Sequence, residues 1–278
     1  MSDTLPIRPI HKEYLEQHEY PTIHVETAAG TTLDFCGVEH SNDPNGHMIN
    51  RVRKELGDFL REPSSNQKLV LLEGWRGPHT DTDDLAEDEL VRRGGEEALA
   101  DRLARQAGVE IASPEPSRSD EFAKLCDEFP SHQVFYWLVA RQAVQWGREV
   151  PLRADQPSER RQEVQRKFES FTDVLESALG HVPSFQEVGT SFGVVAATHR
   201  ELFGGELDWN DLEHFDAHAN PIDENSVVNE IHNRSNQIRD EHILGEIKTA
   251  LHEGKNIFAV YGDGHAYTLE PALRSLGK

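Results

Sequence analysis

Four residues of this chain stand where short apolar runs stop: His40, Glu73, Glu115 and His265. Two imidazoles and two carboxylates are the ligand types of a divalent metal site, and Mn, Co, Zn and Fe are all admissible. Taken singly, a strand-end histidine is more often a hydrogen-bonded structural residue, so the expectation rests on the set. Glu39, beside His40, joins Glu73 as a candidate general base for water activation, the work a carboxylate does when a dry pocket raises its pKa. His214 and His218, four residues apart, read as an exposed pair on a helix.

The four residues need elements to bring them together. The run Asn256 to Tyr261 has no polar alternation and reads as a strand buried on both faces. It stops at Gly262-Asp263-Gly264, a turn expected to present His265 towards a cleft. Thr32 to Cys36 leads to Gly37-Val38-Glu39-His40, Lys68 to Leu72 leads to Glu73, and Val109 to Ala112 leads to Ser113-Pro114-Glu115. Thr22 to Val25 is a further short strand. Between them, helices are expected over about His47 to Leu60, with Asp43-Pro44 as its entry signal, and over Glu96 to Gln106. Gly74 to Asp84 reads as a loop. A long helix from about Glu224 to His252 precedes the last strand, and Gly254 closes it.

This alternation predicts an α/β fold: a central, largely parallel sheet covered by helices on both faces. Residues 117–225 change character, with long helical periodicity and no convincing strand apart from an ambiguous Gly193 to Ala196. The expected organisation is therefore a core from residues 1–116 and 226–278, with 117–225 as a helical insertion or lid over the site. Strand ends of a parallel sheet align at its carboxyl edge, where ligands of open α/β sheets gather.

Composition narrows the classes. Fifty acidic against 28 basic residues give a formal net charge of -22. That balance opposes a phosphate backbone, so no nucleic-acid partner is expected, and the acidic excess reads as a solvation device. Cys36 and Cys126 lie far apart, which suggests neither a disulfide framework nor a cysteine-ligated zinc. Met1 to Tyr20 lacks an apolar leader core, and no run approaches the roughly 18 apolar residues of a membrane span. A cytoplasmic protein with no membrane partner is expected, its oligomeric state unknown. No H-E-x-x-H or P-loop element occurs.

The two Gly-x-x-His elements, Gly37 to His40 and Gly262 to His265, are where the chain resembles a known group. It is similar to the TraB/PrgY and TIKI metalloproteases, whose wider clan includes erythromycin esterases, ChaN-like haem-binding lipoproteins and a Pasteurella toxin domain. The group's strand-end motifs fall here on His40, Glu73, Glu115 and His265, with Ser113-Pro114-Glu115 in place of a Leu-Glu pair. Its Arg-Asp pair before the last strand falls on Arg239-Asp240, which makes Arg239 a candidate anion clamp. The resemblance implies a metal-dependent hydrolase of peptide, amide or ester bonds acting on a small molecule or peptide. The clan also implies two alternatives: a haem or small-ligand binding protein, and a metal-independent esterase-like hydrolase.

Overall fold

The computed structural model describes residues 7–10, 22–74, 77, 82–149, 157–209, 211–220, 222 and 226–277. Most of the loop expected at Gly74 to Asp84 lies outside them, as do Glu224 and Asn225 at the expected start of the long helix. The described chain is α/β. Its strands are β1 (Ile23–Glu26), β2 (Thr32–Val38), β3 (Gln67–Leu72), β4 (Glu110–Ala112) and β5 (Lys255–Gly262), in the spatial order β1-β2-β5-β3-β4. Only β1 runs antiparallel, to β2; every other pairing is parallel.

β5 lies in the middle, and its alternating side chains serve two cores. Phe258 and Val260 pack with Cys36, Val70 and Leu72 under Val52, Leu56 and Phe59 of α1 (His47–Arg61) and Ala100 and Ala104 of α2 (Glu87–Gln106). On the other face Ile257, Ala259 and Tyr261 meet Ile243, Ile247 and Leu251 of the long helix before β5 and Leu269 and Leu273 of the helix after it. Both faces are thus dry, which is why the run carries no polar alternation. Burying each large side chain contributes about 1.5–3 kcal/mol. The register carries this order to the strand ends: Val38 lies opposite Gly262, and Leu72 opposite Val260.

The remaining helices are α3 (Arg118–Cys126), α4 (Ser131–Glu149), α5 (Pro157–Leu179), α6 (Pro183–Gln186), α7 (Phe192–Phe203), α8 (Leu212–Ala219), α9 (Val227–His252) and α10 (Asp263–Arg274). Two compact units result: Met1–Glu115 with Arg239–Lys278, and Pro116–Ile238. Among its described residues the second unit has helices and no strand, and Gly193 to Ala196 lies in α7. Its core holds Phe122, Trp137, Phe168, Leu175 and Phe185.

Several boundaries differ from the expectation. The second unit ends inside α9, not at residue 225, because Val228, Ile231 and Ile238 feed the helical core while Ile243 and later residues feed the sheet. Asp43-Pro44 does not open α1. The Asp43 carbonyl accepts the Gly46 N–H at 2.9 Å, so these residues form the turn before Gly46, the N-cap. α2 begins at Glu87, nine residues before the expected Glu96, and breaks at Gly95, whose φ of 60° and ψ of -150° interrupt the helix. His265 lies in the first turn of α10 instead of on a free turn, and it is buried. His214 and His218 are half-buried, not exposed, with ring centroids 4.5 Å apart beside Phe203.

Candidate active site

The carboxyl edge of β2, β5 and β3 brings the predicted residues together around Glu73. Its backbone N–H bonds the Val260 carbonyl (3.2 Å), which fixes it beside β5. Its Oε2 accepts the Gly262 N–H at 2.7 Å. A Cβ on Gly262 would stand 3.2 Å from that oxygen and 3.3 Å from His40 Nε2, a close approach that a larger residue would accommodate only by shifting both side chains. Glu73 Oε1 faces His265 Nε2 at 3.6 Å, and Oε2 faces His40 Nε2 at 3.8 Å. One carboxylate therefore sits between both histidines.

Each imidazole is oriented by a second carboxylate. His265 Nδ1–H donates to Asp240 Oδ1 (2.5 Å), whose other oxygen accepts from Thr268 Oγ1 (2.7 Å). His40 Nδ1–H donates to Glu96 Oε1 (2.5 Å), and Glu96 Oε2 takes the Ser41 backbone N–H (3.1 Å). A carboxylate on Nδ1 fixes the proton there and leaves Nε2 directed at Glu73 when the ring is neutral. Asp240 and Glu96 are both buried. His40 is different: its side chain is 65% exposed, whereas that of His265 is 10% exposed.

Glu115 joins through Arg239. The guanidinium grips it with two bonds, Nε to Oε2 (2.9 Å) and Nη2 to Oε1 (2.8 Å), and the same Nη2 reaches Glu73 Oε1 (3.0 Å). His242, one turn along α9, donates to the Pro114 carbonyl at 3.0 Å and holds the β4 end in place. Arg239 is thus engaged by protein carboxylates, and the expected anion clamp is replaced by a bridge between them. Glu39 is exposed, and no hydrogen bond or ion pair ties it to the cluster.

The charges respond to these contacts. Burial by itself would raise the Glu73 pKa, but His265, Arg239 and the Gly262 N–H outweigh it and hold the carboxyl well below its ordinary range. Burial would likewise depress His265, yet the Asp240 and Glu73 contacts win and raise it to about 9. A charged imidazole in a helix's first turn opposes the dipole, so these two acids also offset that cost. His40 is raised chiefly by its bond to Glu96.

Glu73, Glu115 and His265 each offer one donor atom, all within 4.8 Å of one another. Two carboxylate oxygens and an imidazole nitrogen, with Asp240 behind the imidazole, suit a divalent ion in ligand type and support. Arg239 Nη2 already holds the Oε1 atoms of both glutamates, so an ion would be held by carboxylates that the guanidinium also engages. A cleft of about 450 Å3 opens beside the cluster, lined in part by His40, Asn42, Glu73, Gly95, Glu96 and Tyr261.

Neither the Glu96 contact nor the role of Asp240 follows from the spacing of the sequence. Glu96 reaches His40 because the Gly95 break restarts α2 there, and a Cβ on Gly95 would lie 2.9 Å from the Ser41 carbonyl oxygen. That backbone conformation is nearly confined to glycine. Gly95→Ala is therefore expected to cost about 1–3 kcal/mol and to loosen the Glu96–His40 contact. Urea unfolding checks the first effect; an unchanged midpoint would show that the loop around Ser41 yields freely.

No protein-family model, curated protein or solved structure matches the chain. Among the described residues no helix is long and apolar enough to cross a membrane.

Proposed function

We propose that this sheet edge is a hydrolytic centre for an amide, peptide or ester bond, of the kind implied by the resemblance to the TraB and TIKI group. The carrying observation is the pair of imidazoles, each with Nδ1 held by a buried carboxylate and Nε2 turned towards Glu73, at the wall of an open cleft. His40 is the accessible member and serves as general base, with Glu96 orienting it and favouring its protonated form. Its Nε2 takes a proton from water as the oxygen bonds to the substrate's carbonyl carbon. The same proton then passes to the leaving nitrogen or oxygen as the carbon–heteroatom bond breaks, so the base is regenerated. Glu73 faces the resulting imidazolium and stabilises it. Arg239 positions Glu73 and Glu115 and does not touch substrate.

A divalent ion, one of Mn, Co, Zn or Fe, would be held by Glu73, Glu115 and His265, with His40 beside it, and would supply Lewis acidity at the carbonyl. The second reading dispenses with the ion, and the Arg239 bridge favours it because a fixed cation already neutralises both glutamates. The free thiols of Cys36 and Cys126 accord with a reducing cytoplasm.

The test is turnover of a panel of chromogenic esters and anilides by metal-stripped and Mn-, Co- or Zn-loaded protein. His40→Ala is expected to lower kcat/KM by about 10²–10⁴-fold. Glu96→Gln should lower it by about 10–100-fold, the range for a residue supporting a reacting imidazole. Activity that survives exhaustive chelation selects the metal-free reading. Absence of turnover across the panel, together with a visible absorption band on adding haem, would replace hydrolysis by ligand binding.

A further inference from the structure

Between α4, α7 and α8 the helical unit packs three imidazoles around one phenyl ring. The centroid of Phe203 lies 5.2 Å from that of His199, 4.6 Å from His214 and 4.4 Å from His218. His214 in turn lies 4.9 Å from His199 and 4.5 Å from His218. His199 is 6% exposed, and His214 Nε2 is buried with no hydrogen-bond partner. His199 Nδ1 stands 2.8 Å from the hydroxyl of Tyr136, itself buried. When that nitrogen is bare the hydroxyl donates to it, and a proton there displaces the donor. The packing thus suits neutral rings. Burial depresses the pKa of His199, helped by repulsion from His218, and burial with repulsion from His199 does the same to His214.

The charged and titratable neighbours do not reverse this. Asp211 and Glu206 favour the imidazolium form, but Glu206 is engaged by Arg200 (2.6 Å) and Asp211 caps α8 by accepting the His214 backbone N–H (3.0 Å). On α4 and α7, His132 and Glu201 pair at 3.1 Å, and protonating that imidazole strengthens the pair. His218 Nδ1 meets Ser226 Oγ at 3.0 Å. From α9, Asn229 donates to the Ala217 and Asn220 carbonyls (2.9 and 2.7 Å) and His232 to the Ala219 carbonyl, bonds that added protons leave intact. Acid therefore spares the α4–α7 contact and the far end of α8, and acts on the end that carries His214.

We infer that this cluster is an acid-sensitive latch: neutral imidazoles dock α8 against α4 and α7, and proton uptake by His199 and His214 releases residues 211–215. The open state binds those protons more tightly than the packed one, so docking is complete above the ordinary imidazole value of 6.5 and weakens as pH falls below it. A helix of eight residues does not persist in water without packing, so α8 loses its own hydrogen bonds once undocked. Release uncovers Phe203 and Phe215. The device is independent of the chemistry assigned to the sheet edge.

Amide hydrogen exchange of the full chain at pH 7.5 and pH 5, corrected for the intrinsic pH dependence and read by mass spectrometry, tests it. Protection of residues 212–219 is expected to fall at least about tenfold at the lower pH, while residues 134–143 of α4 change by less than about threefold. His214→Phe puts an uncharged ring at the unpartnered position and should shrink the α8 loss to about threefold or less. Where that variant does not fold by circular dichroism, the imidazole nitrogen shifts of the parent decide: His199 and His214 should gain protons over the same pH interval in which α8 loses protection. Unchanged protection of α8 at pH 5 would overturn the inference. So would an equal loss in α4, which is general acid unfolding, an undiminished loss in the folded variant, or charged His199 and His214 beneath a protected α8.

Discussion

Replacing Arg239 by methionine is expected to lower the stability of the folded chain by about 3–5 kcal/mol, among the largest effects of any single change at the site. The reason is what remains. Glu73 and Glu115 have only 23% and 18% of their side chains exposed, and both present an oxygen to the same Nη2. Without it, two carboxylates face each other in a partly dry site, and each has lost a charge-assisted bond. The loss should shrink as pH falls. In the parent, the Glu73 carboxyl is held below its ordinary range, so its contribution is present above the unfolded pKa of 4.5 and disappears only as pH falls through the depressed folded value. In the variant, one of the two acids regains a proton at higher pH, and repulsion ends there. Urea unfolding at pH 7.5 and pH 5 should therefore show a wide gap from the parent at the first and a narrower one at the second. A loss below about 1 kcal/mol, or one independent of pH, would mean that Glu115 turns to solvent and that the bridge is a surface ion pair. Since guanidinium and divalent ion would draw on the same two carboxylates, added Mn should stabilise the variant more than the parent.

That arrangement was legible in the sequence only in part, and the division has a physical cause. A strand buried on both faces writes itself as an uninterrupted apolar run, so β5 and the strand end at Glu73 could be read directly. Parallel pairing then forces strand ends into register, which brings His40, Glu73 and Gly262 together without further information. The orienting acids obey no such rule. Asp240 meets His265 across the packing of α9 on α10, a contact set by tertiary docking. Glu96 depends on Gly95, and the Gly94-Gly95 pair in sequence resembles the end of one helix and the start of another more than a hinge that aims a carboxylate. Periodicity also could not divide α9, because an apolar stripe looks the same whichever core it enters; Ile238 and Ile243 are five residues apart and serve different ones. In the sequence Gly262 and Gly264 flank Asp263 and read as a turn before His265. In the fold Gly262 is an N-cap, and its lack of a side chain lets Glu73 and His40 approach closely.

The burial of His265 sets the second large effect, which concerns pH. A histidine facing an open cleft could be removed with little loss of stability, but this one is 10% exposed and bonded to an acid that is 2% exposed. Its pKa of about 9 in the fold exceeds the 6.5 of an unperturbed imidazole, so the folded state binds the proton more tightly than the unfolded chain does. Such a group stabilises fully below pH 6.5, and its contribution is lost as pH rises through 9; the difference amounts to on the order of 3 kcal/mol. Metal-stripped protein should accordingly lose stability between those limits. Asp240→Asn removes one of the two acids that together outweigh burial, so in the variant His265 should give up its proton at lower pH, within the same window. The variant is then expected to be less stable than the parent at pH 6 by about 2–4 kcal/mol and to converge on it towards pH 9, where the parent has surrendered the same proton. Denaturant unfolding at the two pH values gives the comparison, and the imidazole nitrogen shifts of His265 give the proton directly. A gap that stays constant would show that Asp240 acts through its bond to Thr268 and through packing, and that His265 is neutral in the parent as well.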